Sequence, residues 1–327
     1  MHIAVGVLRG GPSREHEVSL KSGAAMLAAL SPEKYCVRDI YIDKAGQWHA
    51  EGKPQAPERI LRQMDVALLP LHGEYGESGE VQHLLERFGV RYAGSDAFAT
   101  NQARHKAIGK ALASEAGLLT PDSRLISALE EAEDAAQEII RSFHQPVVVK
   151  PVAWGSSVGV SIVGGYAPVL AAIRALLEEG AEGVLVEELI RGREATAGVV
   201  DGLRGEAYYA LPPIEIVPPT GDFFSYESKY NGASQEICPG RFSRVETEEL
   251  MRAAKLMHQA LGQRHYSRSD FIVAPAPKSG ASRVYYLETN SAPAVGLTSE
   301  SLLPKSLKAV GIPFSDFLDH LIERTLA

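Results

Sequence analysis

The chain opens on Ile3-Ala4-Val5-Gly6-Val7-Leu8, an apolar run that stops at Arg9 and turns at once through Gly10-Gly11-Pro12-Ser13. An Ala-, Leu- and Ser-rich stretch follows from about Glu15 to Leu30 and reads as a helix. Buried strand, glycine turn, helix is the opening unit of an α/β layer, and it constrains the fold more than any other feature of the chain. The same segment has no basic n-region, so it is not read as a signal peptide. No apolar run reaches roughly 18 residues, so no membrane span and no membrane partner are expected.

The pattern continues in kind. Strands are expected at Val37 to Ile42 and Val66 to Leu71, with a short helix from Gln82 to Phe88. Helices follow at Lys106 to Ala116, ended by Gly117, and at Ser127 to Phe143, ended by Gln145-Pro146. Val147 to Lys150 is a β-branched strand, Gly155 to Gly159 a Gly/Ser turn, and Val160 to Val163 a resumed strand. A helix at Ala167 to Glu179 and a strand at Gly183 to Glu187 complete this part. The remainder is richer in strands, expected at Glu194 to Val200, Glu206 to Leu211, Asp270 to Val273 and Arg283 to Glu288. Leu250, Ala253, Ala254, Met257 and Leu261 recur at helical spacing, and Ser243 with Glu246 offers a capping box. Pro218 to Pro239 reads as a long loop, and Phe314 to Leu326 as a last amphipathic helix.

Composition narrows the classes. A chain of 327 residues suggests about two domains, or two to three lobes, with cores large enough to need no disulfide or metal staple. A net charge of −8 argues against a nucleic-acid partner, which calls for basic surface. The 45% hydrophobic and 23% charged content is that of a soluble globular protein rather than a disordered one. Cys36 and Cys238, widely separated, make neither a disulfide framework nor a zinc site and fit a reducing cytoplasm.

Several constellations carry chemistry. Glu288 and Asn290 lie two apart at an expected strand end and so face one side, and a neighbouring strand could bring Asp270 alongside. These oxygen donors suit Mg²⁺, and the plain alternative is a polar strand end facing solvent. Lys150 ends an apolar strand and leads into Gly155-Ser156-Ser157-Val158-Gly159. That loop could bring backbone N–H groups and a lysine to a phosphate, although it is not a Walker A motif, and an ordinary hairpin loop is the alternative. Glu15 stands where a first α/β turn would meet a ligand, or simply complements a helix dipole. Glu187, ahead of Gly192-Arg193-Glu194, either closes a strand into a base-binding hinge or ends it in solvent. Tyr226-Glu227-Ser228-Lys229-Tyr230 lies in the long loop and suits a lid over a charged substrate, or a surface loop with exposed aromatics.

Taken together these segments resemble the D-alanine–D-alanine ligases of the ATP-grasp superfamily over nearly the whole chain. The resemblance is carried in order by residues 10–20, Leu71 to Gly79, the Lys150 to Gly159 loop, Glu187 to Glu194, Tyr226 to Tyr230, Arg268-Ser269-Asp270, and Glu288-Thr289-Asn290 with Pro293. It implies an α/β (α+β) fold of three lobes, an ATP-grasp fold with an N-terminal parallel-sheet domain. The implied divisions are residues 1–98, 99–187 and 188–327, with ATP gripped between the second and third. It implies ATP as substrate, two Mg²⁺ or Mn²⁺, D-alanine as the other substrate, a homodimer, and a cytoplasmic place in peptidoglycan precursor synthesis.

The resemblance also assigns roles. Lys106, Lys150, Ser156 and Ser157 would meet ATP phosphates, and Glu187, Ile190 and Glu194 its adenine and ribose. Asp270, Glu288 and Asn290 would hold the metals. Glu15 would take the ammonium of the first D-alanine, with His72 nearby. Arg268 and the Gly296 backbone would steady an oxyanion. Lys229, Ser301 and Leu302 would surround phosphate and the second carboxylate, and Tyr230 would tie the lid to Ser156 and Glu15. The chain departs from the family pattern at Ser78, at Ala103-Arg104-His105 before Lys106, and at Pro293-Ala294-Val295-Gly296-Leu297-Thr298, which carries two extra residues. Its rivals are a D-alanine–D-lactate ligase, disfavoured by Tyr230; another ATP-grasp carboxylate–amine ligase; and a non-catalytic nucleotide-binding homologue.

Overall fold

The computed structural model describes residues 2–218, 234–275, 280 and 282–327. Tyr226, Lys229 and Tyr230 lie outside the described residues.

The first sheet contains β1 (Ile3–Gly10), β2 (Tyr35–Ile42), β3 (Trp48–Ala50), β4 (Lys53–Pro54), β5 (Val66–Leu68) and β6 (Arg91–Ala93), in the order β4-β3-β2-β1-β5-β6. β1 runs parallel to β2 and β5, and β5 to β6, while β3 and β4 form an antiparallel edge. Helix His16–Ala29 is the crossover from β1 to β2, as the opening pattern requires. The turn between β1 and that helix lies so close to β2 that a Cβ on Gly10, whose φ is +96°, would sit 2.1 Å from the Ile42 carbonyl oxygen. Only glycine fits there.

The second sheet is antiparallel: β7 (Ser123–Ile126), β8 (Val147–Pro151), β9 (Ser161–Val163) and β10 (Val184–Glu188), ordered β7-β10-β8-β9. Ala135, Ile139, Val169 and Ile173 of helices Ala132–Ser142 and Tyr166–Glu178 pack on its Val147, Val149, Val184 and Val186. The helix expected from Ser127 begins instead at Ala132, after a single 3₁₀ turn at Leu129–Glu131. Ser123–Ile126, unread in the sequence, takes up the free edge of β10.

The third sheet holds β11 (Arg193–Asp201), β12 (Tyr208–Ala210), β13 (Ile214–Val217), β14 (Gln235–Ile237), β15 (Tyr266–Ala274) and β16 (Arg283–Ser291). Its order is β14-β13-β11-β15-β16, with β12 also on β11. Two expectations are corrected here. The Pro218 to Pro239 stretch is not all loop, since β14 pairs with β13. Both β15 and β16 outrun their expected bounds, so Asp270 lies within a strand and not at its end. The polar residues that shortened the reading are of two kinds: Arg268 and Asn290 face the cleft described below, whereas Ser267, Ser269, Thr289 and Ser291 are buried on the other face, where they pair with other hydroxyls or with His258.

Helix Arg244–Ala260 buries Leu250, Ala253, Ala254 and Met257 against this sheet. Its capping box forms as read: the Ser243 hydroxyl accepts from Glu246 N and the Glu246 carboxylate accepts from Ser243 N. Ser243→Ala is therefore expected to cost about 1 kcal/mol in urea unfolding, by leaving an N-terminal N–H without a partner. An unchanged midpoint would contradict the cap.

One apolar cluster joins the first and third sheets. Phe317, Leu318 and Leu321 of helix Phe314–Leu326 pack with Val5, Val7, Val66 and Leu68 on one side and Tyr266 of β15 on the other. This fixes the β1 turn relative to β15, which is what the cleft between them depends on. Among the described residues no helix is long and apolar enough to cross a membrane.

Candidate active site

A cleft of about 760 Å³ is lined by residues from all three sheets, within the size range of ligand pockets. Its floor is the β15–β16 pair. Arg268 lies directly across from Asn290 and Asp270 directly across from Glu288, so four polar side chains share one face. The Arg268 guanidinium donates from Nε and Nη2 to the two Asp270 oxygens, both at 3.2 Å. Thr196 of β11 and Asn290 also donate to Asp270, at 2.6 and 3.1 Å. Glu288 pairs with Lys106 at 3.2 Å. The alternative of a solvent-facing strand end is thereby excluded for this set.

The donor set fits Mg²⁺ or Mn²⁺. Asp270 and Glu288 offer carboxylates and Asn290 an amide oxygen, side by side on two paired strands. Among the described residues no group of three or more His, Cys, Asp or Glu is placed to hold a metal. Two carboxylates without a full cage suit an ion that keeps phosphate oxygens and water among its ligands.

The opposite wall comes from the first sheet. Glu15 occupies the N-cap position of helix His16–Ala29, where its charge complements the helix dipole, but it makes no side-chain cap. Its carboxylate instead accepts from the Ser156 hydroxyl, which belongs to the second sheet's Gly/Ser loop. Ser156 and Ser157 have φ of 54° and 58°, in the left-handed region, a strained conformation of the kind that recurs at functional sites. His72, 3% exposed, bonds the Ser22 hydroxyl through Nε2 at 2.9 Å. Burial, aided by the charge of Arg268, pulls its imidazole down to about 4, against a hydrogen bond with the Ala294 backbone. His72 is therefore neutral near pH 7.

This has a linkage consequence. The unfolded chain takes up a proton at His72 below about pH 6.5 that the folded chain refuses until about pH 4. Stability is thus full above that window and falls as pH drops through it, by on the order of 3 kcal/mol. In His72→Asn, urea stability should fall less steeply between pH 6.5 and 4.5 than in the wild type. Parallel slopes would contradict the buried neutral imidazole.

At the other end of the cleft, Lys150 Nζ lies 2.8 Å from Glu187 Oε2, and Lys110 Nζ lies 3.0 Å from Glu187 Oε1. Glu187 is 2% exposed, so the solvated-strand-end alternative fails for it as well. Burial alone would push its carboxyl up; the charges of Lys150 and Lys110 outweigh that and hold it below the ordinary range. Both its oxygens face lysines. Ser157, Ile190 and Glu194 line the cleft too. Lys106 also donates to the Trp154 carbonyl at 2.7 Å.

The three departures from the family pattern have visible local accounts. His105 is the N-cap of helix Lys106–Glu115, its ring accepting from Ile108 N at 3.3 Å, so Lys106 starts that helix facing the cleft. The longer Pro293 to Thr298 segment begins in a 3₁₀ turn and buries Val295 and Leu297. It delivers Gly296 to the cleft wall beside Ser301, where a Cβ on residue 296 would lie 2.8 Å from the Ser301 hydroxyl. Ser301 and Leu302 open helix Leu302–Ala309 and line the same wall. Ser78 closes the short helix Glu74–Glu77 and is exposed.

Thus Glu15, His72, Lys106, Lys150, Ser156, Ser157, Glu187, Ile190, Glu194, Arg268, Asp270, Glu288, Asn290, Gly296, Ser301 and Leu302 all meet at one cleft. Lys229 and Tyr230 lie outside the described residues. The sequence reading missed Thr196, Glu77, Arg14 and Lys110. Burial and the charge of Glu15 push Glu77 up to about 7. The Arg14 guanidinium lies over the Trp154 ring at 5.4 Å and so bridges the β1 turn to the Gly/Ser loop. Lys110 had a signal, since it stands one helical turn after Lys106.

Comparison with known proteins settles the family. A model of the D-ala D-ala ligase C-terminus matches residues 112–323, and one of the D-ala D-ala ligase N-terminus matches residues 4–60. The chain belongs to the D-alanine–D-alanine ligase family. A D-alanine–D-alanine ligase of Syntrophobacter fumaroxidans is 38% identical over 99% of this chain and 98% of its own length. Among solved structures, the VanG D-Ala:D-Ser ligase from Enterococcus faecalis matches with a TM-score of 0.86 at 28% identity, over 99% of this chain and 100% of that one. A D-alanine–D-alanine ligase from Bacillus anthracis, solved complexed with ATP, matches with a TM-score of 0.77 at 31% identity, over 99% of this chain and 97% of that one. The ATP-grasp architecture of the ligase family is therefore the fold of this chain.

Proposed function

We propose that this chain joins two D-alanines into D-alanyl-D-alanine at the expense of ATP, releasing ADP and phosphate, as a step in peptidoglycan precursor synthesis. The observation that carries the reading is the sharing of one cleft by two kinds of chemistry. Glu15 with Ser156 offers a carboxylate suited to an ammonium at one wall, and Arg268, Asp270, Glu288 and Asn290 offer a charged floor suited to phosphoryl transfer in the same cleft.

A carboxylate is a poor electrophile, because an oxide leaving group departs badly. Transfer of the ATP γ-phosphoryl group to the first D-alanine carboxylate gives an acyl phosphate with a good leaving group. In this reading Glu15 holds the ammonium of that D-alanine, with Ser156 and neutral His72 shaping the pocket. Lys106, Lys150 and Ser157 take phosphate oxygens, and the Glu187, Ile190 and Glu194 segment takes the adenosine. Asp270, Glu288 and Asn290 hold two Mg²⁺ or Mn²⁺, which when bound supply positive charge to the phosphoryl oxygens. The amine of the second D-alanine, its carboxylate held at Ser301, Leu302 and Lys229, attacks the acyl carbon. Arg268 and the Gly296 N–H steady the resulting oxyanion, and phosphate leaves.

The same reading divides the chain at residues 1–98, 99–187 and 188–327, and places it in the cytoplasm as a homodimer. Its test is phosphate release from ATP and Mg²⁺ with D-alanine, L-alanine, D-serine and D-lactate offered singly and in pairs, with products identified by mass. D-Alanine-dependent release with the dipeptide formed is the expected result. ATP binding without release for any pair would overturn it in favour of a binding protein.

A further inference from the structure

We infer that Lys110 is a positioning residue for the nucleotide: it holds Glu187 by an ion pair of its own, so that Lys150 is released from that carboxylate to meet the nucleotide phosphates. The inference rests on the ATP-dependent reading above and extends it to a residue outside the cleft.

The geometry has three parts. Lys110 and Lys150 approach different oxygens of Glu187, at 3.0 and 2.8 Å, so neither displaces the other. The side chains of Lys110, Glu187 and Lys150 are 5%, 3% and 9% exposed, so water cannot stand in for a missing partner. Lys150 and Glu187 line the cleft, whereas Lys110 reaches Glu187 from helix Lys106–Glu115 behind it. Two buried cations on one carboxylate leave a surplus positive charge, and the lysine nearer the ligand is the one an anion can draw away. Burial pulls Lys110 down to about 8 in spite of Glu187, which shows that this second cation is held against a cost. Were Lys110 absent, moving Lys150 to a phosphate would strand Glu187 as a buried, unpaired charge.

The test is equilibrium binding of ATP and of adenosine to the full chain, with no D-alanine present, so that its outcome is separate from whether dipeptide is made. Adenosine has no phosphates and does not need Lys150. Lys110→Met should weaken ATP by about 10–100-fold and adenosine by less than about 3-fold. Lys110→Arg, which keeps the cation, should stay within about 5-fold of wild type for ATP. The double variant Lys110→Met with Glu187→Gln should bind ATP within about 3-fold of Glu187→Gln alone, because an amide needs no cation. This pair also covers the case in which Lys110→Met does not fold. Equal weakening of ATP and adenosine by Lys110→Met, or an ATP loss that persists in the double variant relative to Glu187→Gln, would overturn the inference.

Discussion

Glu288→Gln will lower turnover by about 10²-fold or more while leaving urea stability within about 1 kcal/mol of wild type. Glu288 faces Asp270 across the β15–β16 pair, is part-exposed at the cleft, and has Lys106 3.2 Å away. The amide keeps the shape and removes the charge. The fold tolerates this because the side chain sits at a wet site and not in a core. The chemistry should not tolerate it, because half of the carboxylate charge offered to a divalent cation is gone. The loss should shrink as Mg²⁺ is raised, since weakened metal binding is its cause. Wild-type turnover by the variant at limiting Mg²⁺ would remove Glu288 from the metal set.

Arg268→Met should lower kcat by about 10²–10³-fold with KM for ATP changed by less than about 3-fold. The side chain is held by two parallel hydrogen bonds to Asp270, and Asp270 in turn by Thr196 and Asn290. The guanidinium is thus fixed before substrate arrives, and its stabilisation is realised only when an oxyanion develops. Arg268→Lys should recover little, since an ammonium cannot make the two-point contact that fixes the plane. Steady-state kinetics of both variants check this. A kcat within about 3-fold of wild type for Arg268→Met would assign oxyanion stabilisation elsewhere.

What the sequence made legible was local. The β1 run and its glycine turn, the Ser243–Glu246 cap, and the two-residue spacings Arg268/Asp270 and Glu288/Asn290 each declare themselves within a few positions. The bounds of β15 and β16 did not, because polar residues interrupt the apolar pattern that marks a strand, some facing the cleft as Arg268 and Asn290 do, others buried as Ser267, Ser269, Thr289 and Ser291 are. Short edge strands such as Ser123–Ile126 and Gln235–Ile237 owe their form to a neighbour's unpaired backbone rather than to their own side chains. Non-local pairings were hidden for the same reason. Nothing near Glu187 in the chain announces Lys110, and nothing near Trp154 announces Arg14, until the three sheets are assembled. Most residues that the family resemblance named line one cleft, but it assigned Glu187 to adenosine without showing that its carboxylate is engaged by two lysines.

The central claim is that one D-alanine carboxylate is activated by phosphorylation in this cleft. The most direct measurement supplies D-alanine labelled with ¹⁸O in both carboxyl oxygens, with ATP and Mg²⁺, and reads the phosphate released by mass. Attack of the second amine on an acyl phosphate expels phosphate with a single labelled oxygen, and the dipeptide keeps the other in its peptide carbonyl. That is the predicted result. Dipeptide formed with unlabelled phosphate would contradict the acyl-phosphate route.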